Sequence, residues 1–402
     1  MANVFVGFYY DEEKATELLS VTKGSISAAA NQYQRGFLSG LGEETRILST
    51  ISLGMYPRRS RQLFFRKEQK HCAYGPITYL PFINFYFVKD MMFRRGLYRA
   101  LRKIITEQKQ TTVYIYSLNV VFEKVMASLK NKYGDRVQFC LIIPDLPGKY
   151  GIVRKGILGI RDRLEIAPKM KLAKWADSYV FLTEAMKELF PPKPYNVVEG
   201  FLPQENFDRS ASRIPKSVLY TGTLAETFGI NTLLEAFSML PDPDAQLWIC
   251  GTGNTRKEVE QAAQKDPRIQ YKGFLPKQQI AALQSQCDVL VNPRTDEGEY
   301  TKYSFPSKTM EYLLSGSKVV MYRLPGIGEE YYRYIRTVEA PGAEALAEAL
   351  QEAWKDTDFY ENRSQAQIQW IRENKSARQQ IQNLYQPEDK QAHGDPPIYN
   401  KG

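Results

Sequence analysis

The sequence predicts an α/β protein made of two doubly wound domains, and its arrangement of strand and helix patterns supports this class. Short apolar strands alternate with amphipathic helices between residues 4 and 198, and a second series of the same kind starts at residue 217. Residues 203–215, which separate the two series, are polar and interrupted by proline, as in an interdomain linker.

The expected domain boundaries follow from this division. We expect a first domain at residues 1–205 and a second at residues 206–375. Residues 376–402 complete a C-terminal helix and continue as a polar tail rich in proline and glycine, and a return of this segment to the first domain is left open. The chain has 402 residues, which is long enough for two hydrophobic cores.

The composition is that of a globular protein with anionic partners. Hydrophobic residues make up 43% of the chain, charged residues 25%, and the net charge is +9, which favours phosphorylated substrates, an anionic membrane or nucleic acid. Four scattered cysteines show no metal-binding spacing and are expected to be reduced core residues. With only two histidines, His71 and His393, a zinc site or a histidine-based triad lacks ligands, so we expect no metal and no cofactor.

Neither a signal peptide nor a membrane-spanning helix is expected. The first nine residues lack a basic region and a small-residue cleavage site. The longest apolar stretch, residues 77–88, is too short for a bilayer and contains Pro81 and Asn84. We therefore expect a cytoplasmic protein.

The first half begins with a strand–helix–strand pattern that continues to residue 198. Strands are expected at residues 4–9, 45–48, 112–116, 137–143, 178–182 and 196–198. Helices are expected up to residue 41 after a cap at residues 25–27, at residues 120–133, up to residue 176, and at residues 184–190 after a cap at Thr183.

An unusual segment between residues 56 and 103 mixes cations with aromatic side chains. It includes the runs YPRRSRQLFFRK from Tyr56 and MMFRRGLYRALRK from Met91. A core helix whose arginines extend to solvent is one interpretation. A surface that docks on anionic lipid headgroups is another, and a nucleic-acid surface is a third that no recognisable motif supports.

Asp145 follows the strongly apolar strand predicted at residues 137–143 and is flanked by prolines. Ligands of open α/β sheets bind beyond the carboxyl ends of the strands, so Asp145 is a candidate for orienting or deprotonating a bound hydroxyl. The alternative is a structural role in capping the turn.

The second half repeats the alternation of strand and helix. Strands are expected at residues 217–223, 246–250, 269–271, 289–291 and 318–321, and helices at residues 233–239, 256–264, 278–284, 304–316, 343–355 and 364–384. Glycine-containing turns lie at the end of the first of these strands, at residues 222–223, and after the second, at residues 251–253. Each turn alone is a weak signal, but their order before the helix at residues 304–316 is more specific.

That helix is expected to start with Ser304 as its N-cap and Pro306 in its first turn, and to end at Gly316. Helical spacing places Lys308 and Glu311 on one side, together with Ser307. A helix N-terminus attracts anions, so a diphosphate beside Lys308 and a ribose hydroxyl on Glu311 fit these groups. An ordinary solvated helix face is the alternative.

Taken in order, these motifs resemble the retaining family-4 glycosyltransferases of the two-domain GT-B fold. The resemblance is carried by residues 220–223, 249–253, 272–275, 288–294 and 305–308, and by Glu311 and Gly316. In the first half, residues 143–147 and 181–186 also resemble bacterial polysaccharide-biosynthesis sugar transferases. The resemblance implies two Rossmann-like domains that face each other across a cleft, with an acceptor in the first and a nucleotide-sugar donor, UDP-linked, in the second.

The resemblance and the motifs together give a set of candidate site residues. Asp145 and Lys308 are the catalytic candidates. The donor-binding candidates are Gly222, Thr223, Gly251, Thr252, Phe274, Leu275, Arg294, Ser304, Phe305, Ser307, Lys308 and Glu311. The family needs no bound metal, since helix N-termini and basic side chains hold the diphosphate.

Three positions depart from the family pattern. The first of its two glutamates, which are separated by seven residues, falls on Tyr303, whereas Glu311 matches the second. Family cations after the first strand of the second domain fall on Thr223 and Phe228. We expect Lys308 and Arg294 to replace these cations.

The expected function is transfer of a sugar, with retention of configuration, from a nucleotide-sugar to a glycan or a lipid-linked saccharide, in cell-surface polysaccharide synthesis or protein glycosylation. We expect attachment to the inner face of the cell membrane through the basic and aromatic segment, and no specific nucleic-acid partner. A non-catalytic subunit that assists an active glycosyltransferase is the alternative, and assembly with itself or another chain is left open.

Overall fold

The computed structural model describes residues 2–146, 170–382 and 384, except residues 25, 86, 205 and 206. The chain divides into two compact units: unit 1 is Met1–Gly200 with the segment that begins at Ala377, and unit 2 is Phe201–Ser376. The sequence places these boundaries after residues 205 and 375. Residues 147–148, the cap residue Ser25 and the tail from residue 386 lie outside the described residues.

Unit 1 contains an eight-stranded sheet in the order β10-β9-β8-β7-β1-β2-β5-β4, in which only the β4–β5 pair is antiparallel. Two further strands, β3 and β6, form an antiparallel ribbon. The strands are β1 (Ala2–Gly7), β2 (Arg46–Ser49), β3 (Phe64–Phe65), β4 (Glu68–Cys72), β5 (Gly75–Tyr79), β6 (Phe82–Ile83), β7 (Thr111–Tyr116), β8 (Val137–Ile143), β9 (Ser178–Phe181) and β10 (Tyr195–Val197).

Four α-helices accompany the first part of this sheet: α1 (Glu12–Val21), α2 (Ala28–Leu41), α3 (Val88–Glu107) and α4 (Val120–Tyr133). Helix α1 and the strands β3 to β6 were not predicted from the sequence. The helices expected up to residue 176 and at residues 184–190 are short 3₁₀ segments, Lys171–Trp175 and Glu184–Leu189. Thr183 forms no side-chain cap, and prolines follow Phe190, so the second segment is not extended into an α-helix.

The basic and aromatic segment separates into core and surface in the structure. Helix α3 buries Phe93, Leu97 and Leu101, as expected for the core-helix interpretation. The rings of Phe65 and Phe82 are stacked with centroids 4.4 Å apart. Five large apolar side chains of this segment are exposed among the described residues: Phe64 and a group of four that we call the exposed apolar set, Tyr56, Phe85, Phe87 and Met91.

Unit 2 contains a parallel six-stranded sheet in the order β13-β12-β11-β14-β15-β16. Its strands are β11 (Ile214–Thr221), β12 (Gln246–Cys250), β13 (Ile269–Gly273), β14 (Cys287–Asn292), β15 (Lys318–Tyr322) and β16 (Arg336–Val338). Its helices are α5 (Ile230–Ser238), α6 (Arg256–Lys265), α7 (Lys277–Gln286), α8 (Lys308–Ser315), α9 (Ala343–Lys355), α10 (Phe359–Asn362) and α11 (Ser364–Lys375). Apolar side chains from the strands, α5 and α9 form one buried core.

Helix α8 begins later than the sequence predicts. Ser307, not Ser304, is the residue before its first turn, and Pro306 also precedes the helix. Ser304 has an extended backbone after the 3₁₀ helix Glu299–Tyr303, and its hydroxyl accepts a hydrogen bond from Arg294. The predicted end is confirmed, because Gly316 has the left-handed conformation (φ +76°) that suits glycine.

The last predicted helix is interrupted at Ser376, whose extended backbone separates α11 from α12 (Ala377–Gln382). Helix α12 packs on α2 of unit 1, where Ile381 is fully buried. A Cβ atom at Gly40 would lie 2.3 Å from the side chain of Ile381, so glycine permits this close approach. The return of the C-terminal segment to unit 1 is therefore a feature of the structure.

Three of the four cysteines, Cys140, Cys250 and Cys287, are buried free thiols, and Cys72 is half-buried. Burial raises the pKa of Cys140 and of Cys250 to about 11. These thiols are therefore core groups that stay protonated at neutral pH. Within the described residues, no helix has the length and apolar character needed to cross a bilayer.

Candidate functional site

The strand order of unit 2 creates a switch point beside β11. Strand β12 lies on one side of β11 and β14 on the other, so the connections that leave these two neighbours run in opposite directions. Ligands of open α/β sheets bind beyond the carboxyl ends of the strands at such a point. The sequence motifs of the second half follow the carboxyl ends of β11, β12, β13 and β14.

The turns after β11 and β12 touch through their backbones. A Cβ atom at Gly251 would lie 1.7 Å from the carbonyl oxygen of Gly222, and one at Gly253 would lie 1.9 Å from that of Leu224. The amide of Leu224 donates to the carbonyl oxygen of Thr252 at 2.9 Å. Glycine is therefore required for this contact, which brings the predicted residues of both turns together and leaves the side chain of Thr252 exposed.

The turn after β13 joins the same edge. The amide of Gly251 donates to the carbonyl oxygen of Gly273 at 2.8 Å. The next side chain, Phe274, is 79% exposed, whereas Leu275 is half-buried. An exposed aromatic ring at the end of a strand offers a flat face to a ligand such as a nucleobase.

Lys308 and Glu311 lie one turn apart on α8 and bind each other. The ammonium nitrogen of Lys308 lies 2.6 Å and 2.8 Å from the two carboxylate oxygens of Glu311. Helical spacing in the sequence predicts both side chains on one side of the helix, with Lys308 beside a diphosphate and Glu311 beside a ribose. The structure shows that they form one paired group, while Met310 and Leu313 anchor the helix in the core.

Gln284 is a site residue that the sequence analysis missed. This fully buried side chain on α7 donates from Nε2 to Oε1 of Glu311 at 2.7 Å. Its amide also lies 3.5 Å from Oγ1 of Thr221, which is 3.1 Å from the hydroxyl of Tyr312. Glu311 is thus held by Lys308 on one side and by a buried polar network on the other. Nothing in the sequence signals this contact, because α7 and α8 meet only in the tertiary structure.

Arg294 is a buried cation enclosed by aromatic rings. Its guanidinium lies 4.8 Å from the ring centroid of Tyr300 and 5.8 Å from that of Phe228. One terminal nitrogen donates to Oγ of Ser304 at 2.8 Å, and Nε has no hydrogen-bond partner among the described residues. Burial lowers the pKa of Arg294 below its ordinary value.

The neighbourhood of Arg294 depends on Gly229, which precedes α5 with φ +76°. A Cβ atom at this position would lie 2.0 Å from the carbonyl oxygen of Pro293. Glycine therefore lets the start of α5 approach the turn after β14 closely. Phe228, the position where the family pattern has a cation, consequently lies against Arg294.

Two backbone amides at this edge are open to a ligand. The N–H groups of Thr223 and Ser307 have no hydrogen-bond acceptor within the part of the chain that the structure describes. Ser307 precedes the first turn of α8, where the helix dipole favours an anion. Unpaired amides, a helix N-terminus and a buried guanidinium form an arrangement suited to a diphosphate.

Two predicted or family-matched positions are closed by packing. Phe305 is buried and its ring packs against Tyr331 with centroids 5.4 Å apart. Tyr303, at the position of the first family glutamate, is also buried. The side chain of Phe305 is therefore part of the core of unit 2.

In unit 1, Asp145 lies just past β8 and its side chain is exposed. It contributes, after the larger effect of burial, to raising the pKa of Tyr116 at the end of β7. The ring of Tyr116 is 5.9 Å from that of Tyr33, whose hydroxyl donates to the carbonyl oxygen of Val198 at 2.9 Å. Asp145 thus neighbours a group of aromatic side chains at the carboxyl edge of the first sheet.

Among the described residues, no group of three or more histidine, cysteine, aspartate or glutamate side chains is arranged to hold a metal ion.

Comparison with protein families identifies part of the chain. Residues 215–356 match the family described as Glycosyl transferases group 1. This range contains both glycine turns, Arg294 and α8. A search among curated proteins gave no match.

Solved structures share the fold at low sequence identity. The GtfA/B complex is 15% identical with a TM-score of 0.52 and covers 75% of this chain, but the chain spans only 60% of that one. HepE (Alr3699) from Anabaena in complex with UDP and glucose is 11% identical with a TM-score of 0.56, covering 96% of this chain and 99% of its own. The catalytic domain of starch synthase IV from Arabidopsis thaliana, bound to ADP and acarbose, is 10% identical with a TM-score of 0.59, covering 96% and 98%.

The fold and the family match agree with each other. Residues 215–356 match a glycosyltransferase family, and the chain has the GT-B fold, with two Rossmann-like units. The predicted fold class is thereby confirmed. Membership of family 4 and retention of configuration stay predictions.

Proposed function

We propose that this protein transfers a sugar from a UDP-linked donor to a glycan or lipid-linked saccharide, with retention of configuration, in cell-surface polysaccharide synthesis or protein glycosylation. The observation that carries the proposal is the carboxyl edge of unit 2. Buried Arg294, the amides of Thr223 and Ser307, which are unpaired among the described residues, and the carboxylate of Glu311 all lie there, within the matched range.

In the proposed donor complex, Arg294 and the two open amides bind the diphosphate. Donors fixed in place before the reaction stabilise the charge of the leaving diphosphate, which is the largest electrostatic demand of the transfer. Glu311 accepts hydrogen bonds from the ribose hydroxyls, because Gln284 and Lys308 already hold its carboxylate in place. Lys308, being paired with Glu311, contributes less than a free cation, which makes Arg294 the principal charge. No metal takes part in this proposal.

Phe274 supplies the face on which the base stacks in this proposal. UDP is supported by the HepE complex, which contains UDP, whereas the starch synthase structure contains ADP.

A thermal-shift screen with UDP, ADP, GDP and their sugar conjugates tests the donor. UDP and at least one UDP-sugar should raise the melting temperature, because a ligand that binds only the folded state stabilises it. Arg294→Ala should reduce the shift, while Arg323→Ala, which removes an exposed arginine of the same unit, should not. If no nucleotide raises the melting temperature of the wild type, the donor assignment is wrong.

In unit 1, Asp145 is proposed to orient the acceptor hydroxyl and to accept its proton. Its side chain is exposed at the carboxyl edge of the first sheet, and its charge acts on the neighbouring aromatic residues Tyr33 and Tyr116. Such rings suit the apolar face of a sugar.

The exposed apolar set is proposed to attach the protein to an anionic membrane. Phe87 is 76% exposed and has φ +60°, a costly conformation for a residue other than glycine. Four exposed arginines flank the set without an ion pair in the described part of the chain: Arg58, Arg59, Arg94 and Arg95. Aromatic side chains at the interface with nearby cations give reversible attachment, which fits a lipid-linked acceptor.

A non-catalytic subunit that assists an active glycosyltransferase is the second candidate. The observation in its favour is that Tyr303, a buried side chain, stands where the family has a glutamate, and that Phe228 replaces a cation. Hydrolysis of UDP-sugars by the isolated protein separates the two candidates. Donor binding without any hydrolysis or transfer would favour the subunit.

A further inference from the structure

A cavity of about 340 Å³ lies in unit 1, and its lining includes neither Asp145 nor a member of the exposed apolar set. Ile51 and Leu80, which follow the carboxyl ends of β2 and β5, line one side. Helix α1, strand β3 and the start of β4 supply the rest of its wall. This is the carboxyl edge of the sheet, where ligands of α/β folds bind, and the volume is at the lower end of the ~300–1,000 Å³ typical of ligand pockets.

Two carboxylates of the cavity lining, Glu17 and Glu68, are held by a buried lysine. The ammonium group of buried Lys14 donates to Glu17 at 2.6 Å and to Glu68 at 2.5 Å, and it lies 5.1 Å from the ring centroid of Tyr79. Burial opposes the charge of Lys14, but the hydrogen bonds to the two carboxylates outweigh it and raise its pKa. The hydrogen bond from Lys14 also lowers the pKa of Glu68. Two carboxylates are thus held in place as hydrogen-bond acceptors for hydroxyl groups.

The rim of the cavity carries an aromatic ring and free cations. In strand β3, Phe65 is buried and stacked on Phe82, so the alternation of the strand turns Phe64 outward, where it is 64% exposed. The next side chains, Arg66 and Lys67, are exposed and form no ion pair with any described residue. Lys70 of β4, in contrast, binds the carboxylates of Asp11 and Glu13.

We propose that this cavity binds a sugar ring that carries an anionic group, a phosphate or a carboxylate. The ring face lies on Phe64, the hydroxyls donate to Glu17 and Glu68, and the anion binds Arg66 and Lys67. A neutral sugar leaves the two cations unused, and inorganic phosphate leaves Phe64 and the carboxylates unused. Resting on the proposed function, the ligand is part of the acceptor saccharide.

Titration of the full chain followed by NMR tests the site with four probes: glucose 1-phosphate, glucuronic acid, glucose and inorganic phosphate. Both charged sugars should bind more tightly than glucose or phosphate. Replacing Arg66 and Lys67 together by alanine should weaken both charged sugars about tenfold, since charged hydrogen bonds are lost. Phe64→Ala should weaken them severalfold. The double variant of Arg102 and Lys109 to alanine, which removes exposed cations elsewhere in unit 1, should bind like the wild type.

The probes also separate the sources of the anion. Binding of glucose 1-phosphate alone indicates a phosphorylated sugar, and binding of glucuronic acid alone indicates a uronic acid. Phosphate binding as tightly as either charged sugar, equal binding by wild type and the Arg66/Lys67 variant, or no binding of a charged sugar overturns the proposal. UDP is titrated in the same samples. If UDP binds and no charged sugar does, only this inference is refuted. If the charged sugars bind and UDP does not, only the donor assignment is refuted.

Discussion

Cations and aromatic rings occur together in two regions of this protein, but in opposite arrangements. At the carboxyl edge of unit 2, Arg294 is buried between Tyr300 and Phe228, and Lys308 is paired with Glu311. Around the exposed apolar set of unit 1, arginines such as Arg94 stand in solvent without ion pairs in the described residues.

The difference indicates two kinds of partner. A buried cation fixed by rings and a hydroxyl loses little conformational entropy on binding, so it suits a small ligand that always takes the same position. Exposed cations and rings suit an extended surface, where many weak contacts add up. Composition alone does not distinguish the two regions, whereas burial and pairing do.

The largest expected effect is on membrane binding. Replacing Arg58, Arg59, Arg94 and Arg95 by glutamate should abolish sedimentation with anionic vesicles, since each cation near such a surface is worth about 1 kcal/mol and the reversal adds repulsion. The expected loss of affinity is about a thousandfold or more. Vesicles of varied anionic content, at low and high salt, provide the measurement.

The UDP affinity of this variant should equal that of the wild type, because the four arginines lie in unit 1 and the proposed donor site lies in unit 2. Neutral vesicles serve as the lipid control. If the wild type does not bind anionic vesicles at low salt, unit 1 has no membrane surface and a soluble acceptor becomes the better hypothesis.

Asp145→Asn should lower turnover about a hundredfold, which is at the lower end for loss of a proton acceptor. The amide keeps the shape of the side chain but cannot take the proton. Transfer rates at saturating donor, with UDP affinity measured separately, test this. Asp135→Asn, which removes an exposed carboxylate after α4 in the same unit, is the matched control. An equal loss of UDP affinity would show that Asp145 does not act on the acceptor side.

Lys89 provides a pH-dependent test of burial in unit 1. Its ammonium group donates to the carbonyl oxygen of Leu53 at 3.1 Å, and burial lowers its pKa to about 8. In the unfolded chain Lys89 keeps its proton up to its ordinary pKa of 10.5. The stability of the wild type therefore rises as the pH increases from about 8 to 10.5. Over that range, the difference in unfolding free energy between Lys89→Met and the wild type should change by roughly 3 kcal/mol in favour of the wild type.

Urea unfolding at several pH values measures this difference. Lys103→Met, which removes an exposed lysine of the same helix, should show no such change. A constant difference between Lys89→Met and the wild type across the range would mean that Lys89 is charged in the folded protein at all these pH values.

The smallest effect is expected at the paired group of unit 2. Glu311→Ala should weaken UDP about tenfold or somewhat more, because a charged hydrogen-bond acceptor for ribose is lost. Gln284→Ala should weaken it less, since it removes only the support for the carboxylate. Calorimetric titration measures both, circular dichroism checks folding, and Glu344→Ala on α9 is the control. Unchanged affinity in Glu311→Ala would refute the ribose assignment.

Periodicity in the sequence predicted most of the parallel strands, because buried strands are continuous apolar runs. It missed β4, whose residues Glu68–Cys72 are mostly polar and lie on a sheet edge. It also missed α1, although the Asp11 cap and the acidic first turn are signals of a helix start. The predicted start of α8 was wrong because Ser304 and Pro306 have the local chemistry of a helix start. In the structure the hydroxyl of Ser304 instead accepts a hydrogen bond from Arg294, ten residues earlier in the chain.

The candidate site was predictable only where it depends on neighbours in sequence. Lys308 and Glu311 are three residues apart on one helix, so their proximity followed from helical spacing. Gln284 reaches Glu311 from another helix, and the rings around Arg294 come from two other segments. Such contacts depend on how the helices pack, which a single sequence does not specify.

Engineers who wish to change the donor sugar will find part of unit 2 closed to substitution. Any side chain at position 251 or 253 would occupy the space of a carbonyl oxygen 1.7 Å or 1.9 Å away, and would push the ends of β11 and β12 apart. Libraries directed at these glycines should therefore yield mainly unfolded protein. Variation at Thr223, Thr252 and Phe274, whose side chains are exposed on the turns after β11, β12 and β13, leaves the frame intact and is where new specificity for the base or the sugar of the donor should be sought.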